Sequence, residues 1–130
     1  MDNLWPLPGQ PFDLDLQGVI SAAGTLTLDT EPVSAGEVWV ASHVFISDLD
    51  GNATTIKLYV GRVGGLQLID EWVSLTQNVG RVHADAFYVS DGQYIEITFA
   101  GGTSTHRVRV HITGTKRGTG GPKVPVVITT

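Results

Sequence analysis

The sequence predicts an all-β fold: an antiparallel β-sandwich, an eight-stranded jelly roll, with extended N- and C-terminal arms. Three observations predict it. Apolar and polar residues alternate with period two along most of residues 12–115, and a helical period holds over no convincing length. Glycine- and Asp-containing turn signals separate the alternating runs at short intervals. A hydrophobic content of 42% in 130 residues gives one domain enough material for a core, and the absence of cysteine removes disulfides and thiolate metal sites from its stability.

The strands follow in order. Phe12, Leu14 and Leu16 alternate with Asp13, Asp15 and Gln17, and Leu26 and Leu28 alternate with Thr25, Thr27 and Asp29. Trp39, Ala41 and His43 share one face of a third run and Val38, Val40 and Ser42 the other; Val44, Phe45 and Ile46 carry this run into the centre of a sheet. Trp39, beside Ala41, is expected to be buried. Ile56, Leu58 and Val60 form a fourth strand. Residues 66–73 form a fifth, interrupted by Asp70-Glu71, where a bulge or a short helical turn is expected. Val82 to Tyr88 reads as one sixth strand, Ile95, Ile97 and Phe99 define a seventh, and Val108, Val110 and Ile112 an eighth. Asp50-Gly51-Asn52, Gly64-Gly65, Asp91-Gly92 and Gly101-Gly102 supply the turns, because glycine takes positive φ without steric cost and Asn and Asp tolerate it.

The two ends depart from this pattern. Residues 1–11 hold Pro6, Pro8 and Pro11, which favour extended chain over pairing, and place Leu4, Trp5 and Leu7 outside any sheet pattern. These three are candidate partner-binding residues of an N-terminal arm. Residues 116–130 read as a linker opening on Lys116 and Arg117, followed by the β-prone Val126, Val127 and Ile128. A free tail of that composition is an aggregation hazard. It is expected either to add as an edge strand to a neighbour or to fold back on its own sheet.

Net charge is −5, which argues against nucleic-acid binding; residues 1–10 lack the basic and apolar regions of a signal peptide and no apolar run approaches membrane-helix length, so a soluble chain made in a cytoplasm is expected. The charge is unevenly spread. Residues 1–50 carry acids and no Lys or Arg, whereas residues 101–130 carry Arg107, Arg109, Lys116, Arg117 and Lys123 and no acid. The two halves either balance on adjacent strands of one fold or attract between subunits.

Motifs for chemistry are weak. Asp48-Leu49-Asp50-Gly51-Asn52 resembles the start of a calcium loop, but the twelfth position is Tyr59 rather than Glu, and a hairpin turn explains the residues more simply. His43, His83, His106 and His111 lack zinc-motif spacing, although His43 and His111 could meet across strands. There is no Gly-x-Ser-x-Gly, and Gly61-Arg-Val-Gly-Gly65 lacks the Lys-Ser/Thr of a phosphate loop. No catalytic residue, cofactor or metal is assigned, and the chain is read as a non-enzyme.

Residues 31–40, with Gly36-x-x-Trp39, together with residues 89–103 and 107–114, resemble small jelly-roll virion proteins of tailed bacteriophages, the capsid decoration or accessory class. Gln93 departs from that pattern, which favours an acid there. The resemblance implies a virion structural protein without catalytic residues: a homo-oligomer, a trimer if it sits on a shell's local threefold sites, with the major capsid protein or another virion protein as partner. The alternative is a carbohydrate- or receptor-binding module of a tail or baseplate, which would present exposed aromatic residues at a tip or on a concave face.

Overall fold

A computed structural model describes residues 9–50, 53–75 and 79–118. Leu4, Trp5, Leu7, Val126, Val127 and Ile128 lie outside the described residues. Among the described residues nine strands are formed: β1 (Gln10–Val19), β2 (Leu26–Asp29), β3 (Glu37–Asp48), β4 (Ala53–Arg62), β5 (Gly65–Leu75), β6 (Arg81–His83), β7 (Phe87–Ser90), β8 (Tyr94–Ala100) and β9 (Arg107–Gly118).

The pairing is that of a long hairpin folded about the 63–64 turn and then rolled up. β4 pairs with β5, β3 with both β6 and β7, β2 with β8 and β1 with β9, every pair antiparallel. Rolling adds β3 to β9 and β4 to β8, giving one sheet in the order β1-β9-β3-β6, with β7 also on β3, and a second in the order β2-β8-β4-β5. This is the jelly-roll sandwich that the alternation predicts, with β6 and β7 sharing one strand position.

The inward residues follow the expected parity. Trp39, Ala41, Val44 and Ile46 from β3, Ile56, Leu58 and Val60 from β4, Ile95, Ile97 and Phe99 from β8, and Val108, Val110 and Ile112 from β9 are buried between the sheets. Leu14, Leu16, Leu26 and Leu28 pack against this core from the two edge strands β1 and β2.

Two features depart from the expected strands. The run 82–88 is not one strand: it pairs with β3 at Val44–His83 and again at Ala41–Phe87, and residues 84–86 leave the ladder between. β3 itself shifts register between Ala41 and His43, so the break in one strand lies opposite the irregularity in the other. Strand β9 also runs on past Thr113 to Gly118, because it has a partner on each side, Gln10–Phe12 of β1 and Glu37–Ala41 of β3. Lys116 and Arg117 are therefore strand residues, not the start of a linker, and Gln10 and Pro11 belong to β1 rather than to an arm. Asp48–Asp50 likewise lead from one sheet to the other and not into a hairpin, since β3 and β4 lie in different sheets.

The sandwich has two poles. β1, β3, β5 and β8 begin at one of them, where β2, β4, β7 and β9 end. At this pole the 30–36 segment is tied to the 91–93 turn through Val33 N–H to Gln93 O and Gly92 N–H to Val33 O, each within 2.9 Å. Gln10 and Lys116 sit side by side there, so the described chain enters and leaves at the same place.

Candidate interaction surfaces

Lys116 has a definite place. Its Nζ lies 5.4 Å from the Trp39 ring centroid and 5.9 Å from that of Phe12, and the two rings are 5.1 Å apart. A cation held over two aromatic faces gains from their quadrupoles while its stem covers them from water. The site residue expected to bind a partner thus packs onto the buried aromatic pair at the terminal pole. Arg117, beside it, is exposed.

The acidic and basic halves meet within the subunit. Arg109 donates two hydrogen bonds to Asp15 at 3.0 and 2.9 Å, His111 pairs with Asp13, and Arg107 donates from Nε and Nη2 to Asp50 at 2.8 Å each. The Arg107 guanidinium and its backbone N–H hold the Asp50 carboxyl far below the usual carboxylate range, and the hydrogen bonds from Arg109 lower Asp15. Three links join acids of residues 1–50 to bases of β9. They fix register more than they add stability, since pairs this exposed are screened by solvent. His111 is taken up by Asp13 and stands opposite Phe45, while His43 stands opposite Thr113. Among the described residues no group of three or more His, Cys, Asp or Glu side chains is placed to hold a metal ion.

One side of the sandwich, where β5 and β6 approach, is closed by a polar contact. The register of β5 on β4 shifts at Leu58/Tyr59, which leaves Ile69 as the extra residue and brings Asp70 opposite the buried Leu58. The interruption expected at Asp70-Glu71 is thus a bulge. Asp70 Oδ2 lies 2.7 Å from Nδ1 of the buried His83, a hydrogen bond between the two side chains. Trp72 and Phe87 stand edge-on to the imidazole at centroid distances of 6.5 and 5.6 Å. The sequence offered no signal for this pair, because strict alternation would place Asp70 on the outer face.

The outer face of the second sheet carries an apolar patch near the terminal pole. A side chain at Gly61 would meet Leu66 Cδ2 and Tyr94 Cζ, both at 2.7 Å, so leucine and tyrosine close over a bare backbone. Leu68 stands opposite Tyr59 in the same sheet, and Val63 at the turn is 98% exposed. Further along this face Asp29 and Glu96 are direct cross-strand partners. Partial burial raises the Glu96 carboxyl above its ordinary value, and the hydrogen bond with Asp29 and that residue's negative charge raise it further. A carboxyl raised in the folded state favours folding below its unfolded pKa and loses that contribution as pH climbs through the folded value. Glu96→Gln should therefore be more stable than the parent at neutral pH by roughly 0.2–1 kcal/mol, as for relief of facing like charges. The gain should shrink on acidification toward pH 4.5, the ordinary value of the group. Urea titrations at pH 7 and near that value check it; a gain that grows in acid would contradict the assignment.

No family model matches the sequence, and no curated protein matches it significantly. Similarity appears at the level of structure. A protein of Bacillus endospore appendages, described as forming disulfide-linked pili, superposes with a TM-score of 0.52 at 9% identity over 92% of this chain and 94% of that one. The Drosophila NLP core, described with pentamer formation and histone binding, gives a TM-score of 0.43 at 11% identity over 82% of this chain and 97% of that one. VP2 of infectious bursal disease virus gives 0.33 at 10% identity, with this chain spanning 38% of its length. At these identities the likeness concerns the fold alone. What they and the topology share is a β-sandwich fold.

Proposed function

We propose that this chain is a virion structural protein of a tailed bacteriophage, a non-catalytic capsid decoration protein that binds the outer shell and forms a homo-oligomer. One observation carries the reading: β1 begins and β9 ends side by side at one pole of a sandwich whose core lies within residues 12–112. Residues 1–8 and 119–130 therefore start from one place, where both can reach a common neighbour. Support also comes from the resemblance of residues 31–40, 89–103 and 107–114 to decoration proteins. The mechanism is mechanical. Each sandwich buries its own core, and the terminal segments, with Leu4, Trp5 and Leu7 on one and Val126, Val127 and Ile128 on the other, tie it to the shell and to its neighbours. Burying one indole and two leucines contributes a few kcal/mol per subunit at about 25 cal/mol per Å².

The test is co-sedimentation with undecorated empty phage heads. Deleting residues 1–8, which leaves Gln10 and Pro11 in β1, should keep the melting temperature and sharply weaken shell binding. Early melting with undiminished binding would assign the arm to the fold. A glycan-binding module is the second reading, favoured by Tyr88 at 71% exposure on β7. Binding on a glycan array that Tyr88→Ala abolishes would select it.

A further inference from the structure

We infer that the free edge of β5 receives residues 126–130 of a second copy of this chain as an added strand. This rests on the reading of the protein as an assembly subunit and names the acceptor that its C-terminal tail would use.

Among the described residues the edges of the two sheets are β1 and β6/β7 in one and β2 and β5 in the other. β2, β6 and β7 are three or four residues long, so each offers a whole ladder no longer than that, against eleven residues in β5. β1 has ten residues but includes Pro11, which has no N–H, and its outer face presents Asp13 and Asp15 already paired with His111 and Arg109. β5 differs. It runs eleven residues without proline, and Leu66, Leu68 and Val73 on its outer face are 48%, 49% and 60% exposed. Natural edges are blunted by bulges and inward charges, and β5 has both, but only from Ile69 and Asp70 onward. Gly65–Leu68, ahead of them, carries neither device and borders the Leu66–Tyr94 patch.

The donor is defined by the chain itself. β9 ends at Gly118, and residues 119–125 can span at most about 25 Å when extended. Val126-Val127-Ile128-Thr129-Thr130 follows, five β-branched side chains without charge. Alternate side chains of such a strand would lie beside Leu66 and Leu68, whereas on β1 they would lie beside acids.

Chain direction selects the second copy over the first. β9 ends at the pole where β5 begins, so a tail turning back onto its own β5 would run parallel to it. Every described pair in the molecule is antiparallel, the more stable ladder per residue. A tail arriving from a neighbour can run antiparallel.

Because the chain has no cysteine, the contact can be trapped without background. Leu68→Cys and Val127→Cys proteins, one of them isotope-labelled, are mixed and treated with a short bis-maleimide, and linked peptides are identified by mass spectrometry. The expected product is a mixed dimer joined between positions 68 and 127. Leu68→Lys, at a half-exposed position, should leave melting unchanged and weaken self-association about tenfold by sedimentation, equivalent to about 1.4 kcal/mol. Intrachain linkage alone in a protein carrying both cysteines, or unaltered association of Leu68→Lys, would overturn the inference. Neither readout uses shells, so failure of the decoration reading would show separately as lost co-sedimentation with the cross-link intact.

Discussion

Trp39→Ala is expected to lower the free energy of unfolding by about 3–5 kcal/mol, the range for truncating a buried tryptophan. The ring is 6% exposed, faces Phe12 and lies under Lys116, so its removal opens a cavity and also strips the cation of an aromatic platform. Urea denaturation should show a lower midpoint with unchanged slope. Trp39→Phe separates the contributions. It keeps an aromatic ring against Phe12 and deletes an Nε1–H that is buried without a hydrogen-bond partner among the described residues, so it should cost far less. A loss below about 1 kcal/mol for the alanine variant would mean that the ring is a surface platform, as a glycan-binding module requires.

Gly114→Ala should cost about 3 kcal/mol despite adding a single methyl group, at the upper end for overpacking. A Cβ there would stand 2.1 Å from Val40 O, 3.0 Å from Ala41 Cα and 3.0 Å from Phe12 Cε2. Two of these atoms are backbone of β3 where its register begins to shift, and they cannot rotate away as a side chain can. Gly61→Ala is the control. Its Cβ would press on Leu66 Cδ2 and on the ring of Tyr94, side-chain atoms at an exposed surface, so the cost should fall near 1 kcal/mol. Equal melting temperatures for the two variants would mean that β3 yields at its irregularity.

The sandwich was legible because alternation reports directly on which side of a sheet each residue faces. Phe99, Ile97 and Ile95 read as one face of a strand and are buried as one face. What the alternation could not reveal was decided by partner strands. No proline or glycine punctuates residues 84–86, and the break there answers an irregularity in β3, forty residues away in sequence. The extension of β9 through Lys116 and Arg117 depends on partners on both sides, and composition says nothing of these. Asp70 turns inward because Ile69 is an extra residue, so the Asp70–His83 contact between sheets was invisible to a strict period of two. The charge asymmetry was plain in the sequence with two outcomes open, and pairing of β1 with β9 selects the one within the subunit.

The two poles give the molecule a handle and a tip. Gln10 and Lys116 share the handle, so a passenger joined directly to either end of the described chain, at Gly9 or at Gly118, would leave from that pole. The 101–106 segment belongs to the tip, where Ile20 and Gly24 hold its backbone through Thr105 N–H to Ile20 O at 2.9 Å and Gly102 N–H to Gly24 O at 3.0 Å. Thr103 and Ser104 between those anchors are exposed. A peptide spliced between them would stand at the pole opposite chain entry and exit, its base pinned on both flanks.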